Sequence, residues 1–193
     1  MARTREFDID AAVAAAMEAF RRHGYEGTSI RDLSEATGLG SGSIYAAFGS
    51  KEGLYLASLD LYRQRYATPL IDMLHSGNDA REVIREVFIA AVDEIARDGK
   101  HRACLIVSAT VERARDDLRV AERLRSTTRS LESALFDVLA EGQLRGEIRS
   151  GRSASDLAAF LVTSLQGLRV MGGINPDRST LMRSAEVALS CLD

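Results

Sequence analysis

The side chains able to do chemistry in this chain are few, and their types argue against catalysis. Histidine occurs only at His23, His75 and His101, and none stands in a Glu-x-x-His pair of the kind that loads a helical bundle with iron. No nucleophile elbow, phosphate-cradling P-loop or zinc-ligand cluster is present. No enzyme activity, metal or cofactor is therefore expected. Hydroxyls, glycines and one lysine are concentrated instead between Thr28 and Lys51: Thr28, Ser29, Ser41, Gly42, Ser43, Tyr45 and Lys51. Such groups hydrogen-bond to phosphate oxygens and base edges, and glycine lets a backbone approach a duplex closely. Leu33, Leu39 and Ile44 are spaced to wedge two short helices apart, Ser34 is small where bulk would open them, and Gly38 can take the positive φ of the turn between them. On this pattern alone, a DNA-binding helix-turn-helix and an ordinary helical hairpin stand equal.

Bulk composition sets limits without naming a partner. The chain has 193 residues, 46% of them hydrophobic and 27% charged, which describes an ordinary globular protein of one or two small domains. It shows no apolar run of about 18 residues, so no membrane span is expected. Met1-Ala2-Arg3-Thr4-Arg5-Glu6 is followed by no long apolar stretch, so no signal peptide is expected either. Cys104 and Cys191 are too few for a disulfide framework and point to the cytoplasm. The net charge is −3, and residues 1–52 carry six basic against eight acidic side chains. Any affinity for nucleic acid must rest on where particular groups sit rather than on a basic domain.

The elements that would position these groups are all helical. Ile9, Val13, Met17 and Phe20 predict a first helix ending at Gly24; Ile30, Leu33 and Ala36 a second, stopped by Gly38; Ile44 and Phe48 a third, closed by Gly49. A fourth starts near Ser50 and runs towards Thr68-Pro69, where a break and a new short helix are expected. Beyond the polar stretch 76–79, Ile84 to Ile95 form an amphipathic helix and Cys104 to Val111 a short buried one. Leu118 to Val138 line a long helix ending near Gly142, Leu157 to Met171 the next, and Leu181 to Leu192 the last. The expected fold is all-α, with nine to ten helices: an N-terminal three-helix unit over residues 5–65 and a C-terminal helical domain over 66–193.

The run Gly38-Leu39-Gly40-Ser41-Gly42-Ser43-Ile44-Tyr45-Ala46-Ala47-Phe48-Gly49-Ser50-Lys51-Glu52-Gly53-Leu54 closely resembles the signature of the TetR family of transcriptional regulators. Ala19-Phe20, Gly24-Tyr25 and Thr28-Ser29-Ile30 fall in register with it, so the resemblance covers about residues 6–60 without a gap. It implies that Thr28 is a helix N-cap meeting a phosphate and that Ser41 and Ser43 open the recognition helix. It likewise implies that Tyr45 and Lys51 are phosphate contacts. Ala46, Ala47, Gly40 and Ser41 depart from the family's longer or more basic side chains, so base specificity is not legible. Arg3 and Arg5 could form a minor-groove arm or an unstructured tail.

The same resemblance implies a homodimer on double-stranded operator DNA, released by a small-molecule effector. Leu161, Ser164, Leu165, Leu168, Met171, Leu181, Ala185 and Leu189 are expected at the dimer interface, since the penultimate helix is apolar on more than one face. Tyr62, Tyr66, Phe88, Cys104, Val107, Thr110, Val111, Leu135 and Phe136 are candidates for a lipophilic pocket suited to an apolar or aromatic effector. Thiol-based sensing at Cys104 is the alternative for the effector step, with an inert core cysteine as the plainer reading. A protein that kept the fold and lost DNA binding is the remaining alternative.

Overall fold

A computed structural model describes residues 8–76, 79–98, 104–149 and 151–193. Among these the chain forms ten α-helices and no strand, as the periodicity predicts. Three of the first four helices begin where side chains satisfy amides that a helix start leaves free. Asp8 accepts from the amides of Asp10 and Ala11 to open α1 (Ile9–His23). Ser29 and Asp32 form a reciprocal capping box on α2 (Ile30–Thr37). α3 (Ser41–Phe48) starts at Gly40 with no side-chain cap, and Ser50 caps α4 (Lys51–Tyr62) through the Gly53 amide.

The break expected at Thr68-Pro69 takes a different form. The chain stays helical from Lys51 to Ser76, passing through a five-residue π-helical turn, Arg63–Ala67, into α5 (Thr68–Ser76). The amide of Thr68 reaches the carbonyl of Arg63, five residues back. This wider turn lies immediately before Pro69, whose ring would crowd a carbonyl in a normal α-turn and which has no amide to donate.

α6 (Ala80–Asp98), α7 (Leu105–Glu112), α8 (Leu118–Arg145), α9 (Ala154–Ile174) and α10 (Arg178–Leu189) complete the chain, with a short 3₁₀ turn at Ser190–Leu192. α8 runs past Gly142, where it was expected to stop, because Gly142 packs closely on Ala80 and Ile148 inside the bundle and the left-handed residue that ends the helix is Gly146.

Two buried clusters hold these helices. One joins α5, α6, α8, α9 and α10 around Ile84, Phe88, Leu135, Leu157 and Leu161. The other joins α1 to α4 with α7 and the first turns of α8: Phe20, Leu33, Ile44, Leu54 and Tyr55 pack in one cluster with Leu105, Ile106, Val120 and Leu124. The hydrophobic core of the N-terminal helices therefore continues into residues 105–124. α9 is long and apolar enough, by length and composition, to cross a bilayer. Its apolar positions are instead divided between a face packed in the first cluster and an outward stripe described below.

Candidate nucleic-acid interface

Leu33 and Ile44 are fully buried and Leu39 packs beside them, so α2 and α3 are held apart by the three expected wedge residues. Gly38 sits at φ 70°, ψ 11°, a left-handed conformation that costs glycine little, and its amide closes α2 onto Ser34. With Ile44 anchored inward, the opposite face of α3 is turned out: Ser41, Gly42, Ser43, Tyr45, Ala46 and Ala47 are all exposed, Tyr45 by 50%. The amides of Ser43 and Ile44 bond to the Gly40 carbonyl at 2.9 and 3.1 Å. Those of Ser41 and Gly42, at the positive end of the helix dipole, have no intrahelical acceptor. Two free amides, two serine hydroxyls and a phenol thus converge on one surface able to receive phosphate oxygens.

One expected contact is corrected. The N-cap of α2 is Ser29, not Thr28. Thr28 is fully buried and its hydroxyl donates to the Gly24 carbonyl at 2.6 Å, which ties down the α1–α2 turn and leaves nothing for a phosphate. Ser29 is exposed at the start of α2, engaged with Asp32. Lys51, the first residue of α4, places its ammonium 4.2 Å from the centroid of the Tyr25 ring. Arg3 and Arg5 lie outside the described residues.

Tyr25 is also where the head meets the rest of the molecule. The Glu112 carboxylate, at the end of α7, accepts from the backbone amides of Tyr25 at 2.7 Å and Glu26 at 3.3 Å. Gly24 makes room for it: a Cβ there would stand 2.2 Å from a Glu112 oxygen. The Arg113 guanidinium lies 4.4 Å from the Tyr25 ring centroid and pairs with Glu26 at 3.6 Å and Asp117 at 3.1 Å. Asp117 in turn caps α8 through the amides of Arg119 and Val120. The neighbouring Glu52 carboxyl, these amides and Arg113 together hold the Asp117 carboxyl down at about 2, against the opposing effect of burial. Arg119 pairs with Glu52 and Arg123 with Asp60, so α8 is tied to α4 along its first turns.

A second tie runs through buried Arg21 of α1. It pairs with Glu18 at 3.2 Å, donates to the Tyr66 hydroxyl at 2.9 Å, and lies over the Tyr62 and Tyr66 rings. Tyr62 then meets Arg169 of α9, whose guanidinium stands 3.4 Å from the phenol oxygen, 3.5 Å from Cys104 Sγ and 3.6 Å from Glu94. Burial raises the Tyr62 phenol well above its ordinary value, and Cys104 adds to the shift. Periodicity signals neither tie, because each joins residues far apart in the sequence; the only local hint was charge, Glu112-Arg113, directly after an apolar helix.

The nine candidate pocket residues are not brought together. Phe88 and Leu135 are packed solid in the first cluster, whereas Tyr62, Tyr66 and Cys104 belong to the second. Val107 is half-buried on α7 and Thr110 is exposed, its hydroxyl donating to the Ile106 carbonyl. Val111 is 82% exposed and Phe136 43% exposed, because α7 buries its Leu105, Ile106 and Ala109 face and α8 buries Leu131, Ala134, Leu135 and Leu139. Thr110, Val111 and Phe136 are thus turned to solvent. A cleft of about 460 Å³ lies instead between α4, α7 and α8.

The candidate interface residues are likewise divided. Leu161, Leu165, Leu168, Leu181 and Ala185 are buried within the protomer, most of all by α6, α8 and each other, and Leu189 is half-buried. Ser164 and Met171 face outward, and with Gly167 they line a shallow groove between α9 and α10. Phe160, Ser164, Gly167, Met171 and Ile174 follow each other at spacings of four and three on that outer face, and Val187 stands exposed on α10. Of these, Ile174 and Val187 lie outside the apolar positions that periodicity marks on the last two helices.

Residues 12–58 match the family model described as "Bacterial regulatory proteins, tetR family", and residues 80–187 match "Tetracyclin repressor-like, C-terminal domain". The chain is 32% identical to the HTH-type transcriptional repressor ComR of Escherichia coli K12, over 97% of this chain and 90% of that protein. It is 28% identical to the uncharacterized HTH-type transcriptional regulator YezE of Bacillus subtilis 168 over the full length of both. Among solved structures, a cysteine mutant of the TetR family transcriptional regulator CifR complexed with 26bp double-strand operator DNA superposes with a TM-score of 0.88. Its sequence identity is 31%, and the match covers 99% of this chain and 100% of that one.

Proposed function

The chain belongs to the TetR family of bacterial transcriptional regulators, and on that premise we propose that it is a cytoplasmic, homodimeric repressor that an apolar or aromatic small molecule releases from operator DNA. The observation that carries the DNA-binding step is the outward face of α3: uncapped amides at Ser41 and Gly42, the Ser43 hydroxyl and Tyr45, on a helix fixed by buried Ile44. Residues 5–65 serve as the DNA-binding head and 66–193 as the sensing and dimerising part. Ser29, Ser41, Gly42, Ser43, Tyr45 and Lys51 are its DNA contacts; Thr28 supports them from within.

Dimerisation is supported by the stripe Phe160, Ser164, Gly167, Met171 and Ile174. Its four-three spacing is that of a coiled-coil seam, and the small residues at its centre admit a close second helix. A two-fold pair of heads then meets half-sites one turn of DNA apart. Release follows if the effector favours a conformation in which α4, tied to α8 by two ion pairs, carries the heads out of register.

DNase I footprinting on the intergenic DNA upstream of the gene tests this reading. One protected, two-fold symmetric site is expected, lost in Gly42→Glu; absence of any protected segment overturns it. A second reading of the trigger, oxidation or alkylation of Cys104, is favoured by the Arg169 guanidinium 3.5 Å from its sulfur. On that reading peroxide or an electrophile releases the wild type from DNA and fails to release Cys104→Ala; on the first, neither protein responds.

A further inference from the structure

We propose that the cleft between α4, α7 and α8 is the effector site and takes a molecule with an apolar body and a single carboxylate; this rests on the reading of the chain as an effector-released regulator. The cleft holds about 460 Å³, within the range of small-molecule sites. Leu59, Ile106, Leu118 and Leu124 form its apolar wall. Leu118 is 79% exposed at the first turn of α8, so an apolar occupant covers surface that the protein itself leaves in water.

The polar side of the cleft has one guanidinium more than its acids engage. Arg119 pairs with Glu52 and Arg123 with Asp60, through Nε to both carboxylate oxygens at 3.0 and 3.1 Å. Arg63 lines the same cleft, and its side chain meets only the Ser130 hydroxyl, at 3.5 Å, with no acid in ion-pair reach among the described residues. A planar guanidinium of this kind binds a carboxylate through two parallel hydrogen bonds. Asp60 and Glu122 also line the cleft, and their charges oppose a dianion such as a phosphate ester. The balance favours one negative charge.

Occupancy acts on the parts that aim the head. Arg63 opens the π-helical turn that joins α4 to α5, a type of turn found frequently at functional sites. A carboxylate on Arg63 also competes with Asp60 for Arg123, one of the two ion pairs tying α4 to α8. Both effects shift α4, whose first residue is Lys51.

Isothermal titration calorimetry on the full chain, with octanoate and 3-phenylpropanoate beside 1-octanol, 3-phenylpropanol and octyl phosphate, tests the site. At least one acid is expected to bind about tenfold or more tightly than its alcohol and than octyl phosphate. Arg63→Gln erases the advantage over the alcohol, and Arg63→Lys retains part of it. Binding by neither acid, equal binding of acid and alcohol, tighter binding of octyl phosphate, or an acid affinity unchanged in Arg63→Gln overturns the proposal. Anisotropy of labelled upstream DNA, read alongside, separates the two claims. Arg63-dependent acid binding without loss of DNA affinity upholds the ligand class and removes the release mechanism.

Discussion

Removing the Glu112 carboxylate should loosen the head from the core without unfolding either. In Glu112→Ala, the Tyr25 amide loses a 2.7 Å charge-assisted bond in a half-buried setting, and the Glu26 amide loses a longer, exposed one of 3.3 Å. A hydrogen bond to a charged group contributes about 1.5–3 kcal/mol, and the exposed partner recovers most of its share from water, so a loss of about 2 kcal/mol is expected. The contacts of Arg113 with Tyr25, Glu26 and Asp117 remain. Glu112→Gln keeps an acceptor of the same shape and should cost about half as much. All five tyrosines lie between residues 25 and 66 and tryptophan is absent, so tyrosine fluorescence in a urea titration reports the head and α4 directly. Hydrogen exchange across residues 24–27 should quicken about tenfold or more if opening is local. A loss below about 0.5 kcal/mol with unchanged exchange at Tyr25 would refute the role given to Glu112.

Three further outcomes follow from single features. Thr28→Val leaves the Gly24 carbonyl without its donor and should lower stability by about 1–2 kcal/mol in thermal melts, while DNA affinity at a temperature where the variant is folded stays near wild type; a selective loss of DNA binding would restore Thr28 as a contact. A Cβ at Gly167 meets nothing within 4 Å, so Gly167→Arg should keep the melting profile of a folded helical protein yet elute as a monomer in size-exclusion chromatography with light scattering; a persistent dimer would move the interface elsewhere. The Asp117 carboxyl, held at about 2 in the folded chain against an ordinary 3.8, contributes stability that is complete above about pH 4 and drains away as pH falls towards 2. Asp117→Asn should flatten that part of the acid-unfolding curve.

The helices and the register of α2, α3 and α4 could be read from the sequence, because apolar period, Gly38 and Gly49 are local signals. The same local logic misplaced the α2 cap by one residue: Thr28 and Ser29 are both good caps, but only Ser29 has an acid three residues on to complete the box. Orientation was harder. Periodicity shows that α9 has two apolar faces without saying which one the protomer keeps, and the choice is made by packing with α6, α8 and α10. Val111 and Phe136 were misjudged for the same reason, each apolar in type but turned to solvent by the face its helix buries. The Tyr25–Glu112 bond spans 87 positions and the Arg21–Tyr66 bond 45, distances at which a single sequence carries no pairing signal.

The most direct test of DNA binding by this acidic head is operator affinity as a function of salt. Fluorescence anisotropy with the footprinted upstream site, from 50 to 200 mM salt in steps, gives the slope of log affinity against log salt for wild type and for Lys51→Gln. A phosphate-gripping dimer should bind in the nanomolar range with a steep negative slope, and removing Lys51 from both protomers should flatten that slope by about two while weakening all sequences alike. Micromolar affinity indifferent to sequence, or a slope unmoved by Lys51→Gln, would contradict the assignment of α3 and Lys51 as the surface that holds DNA.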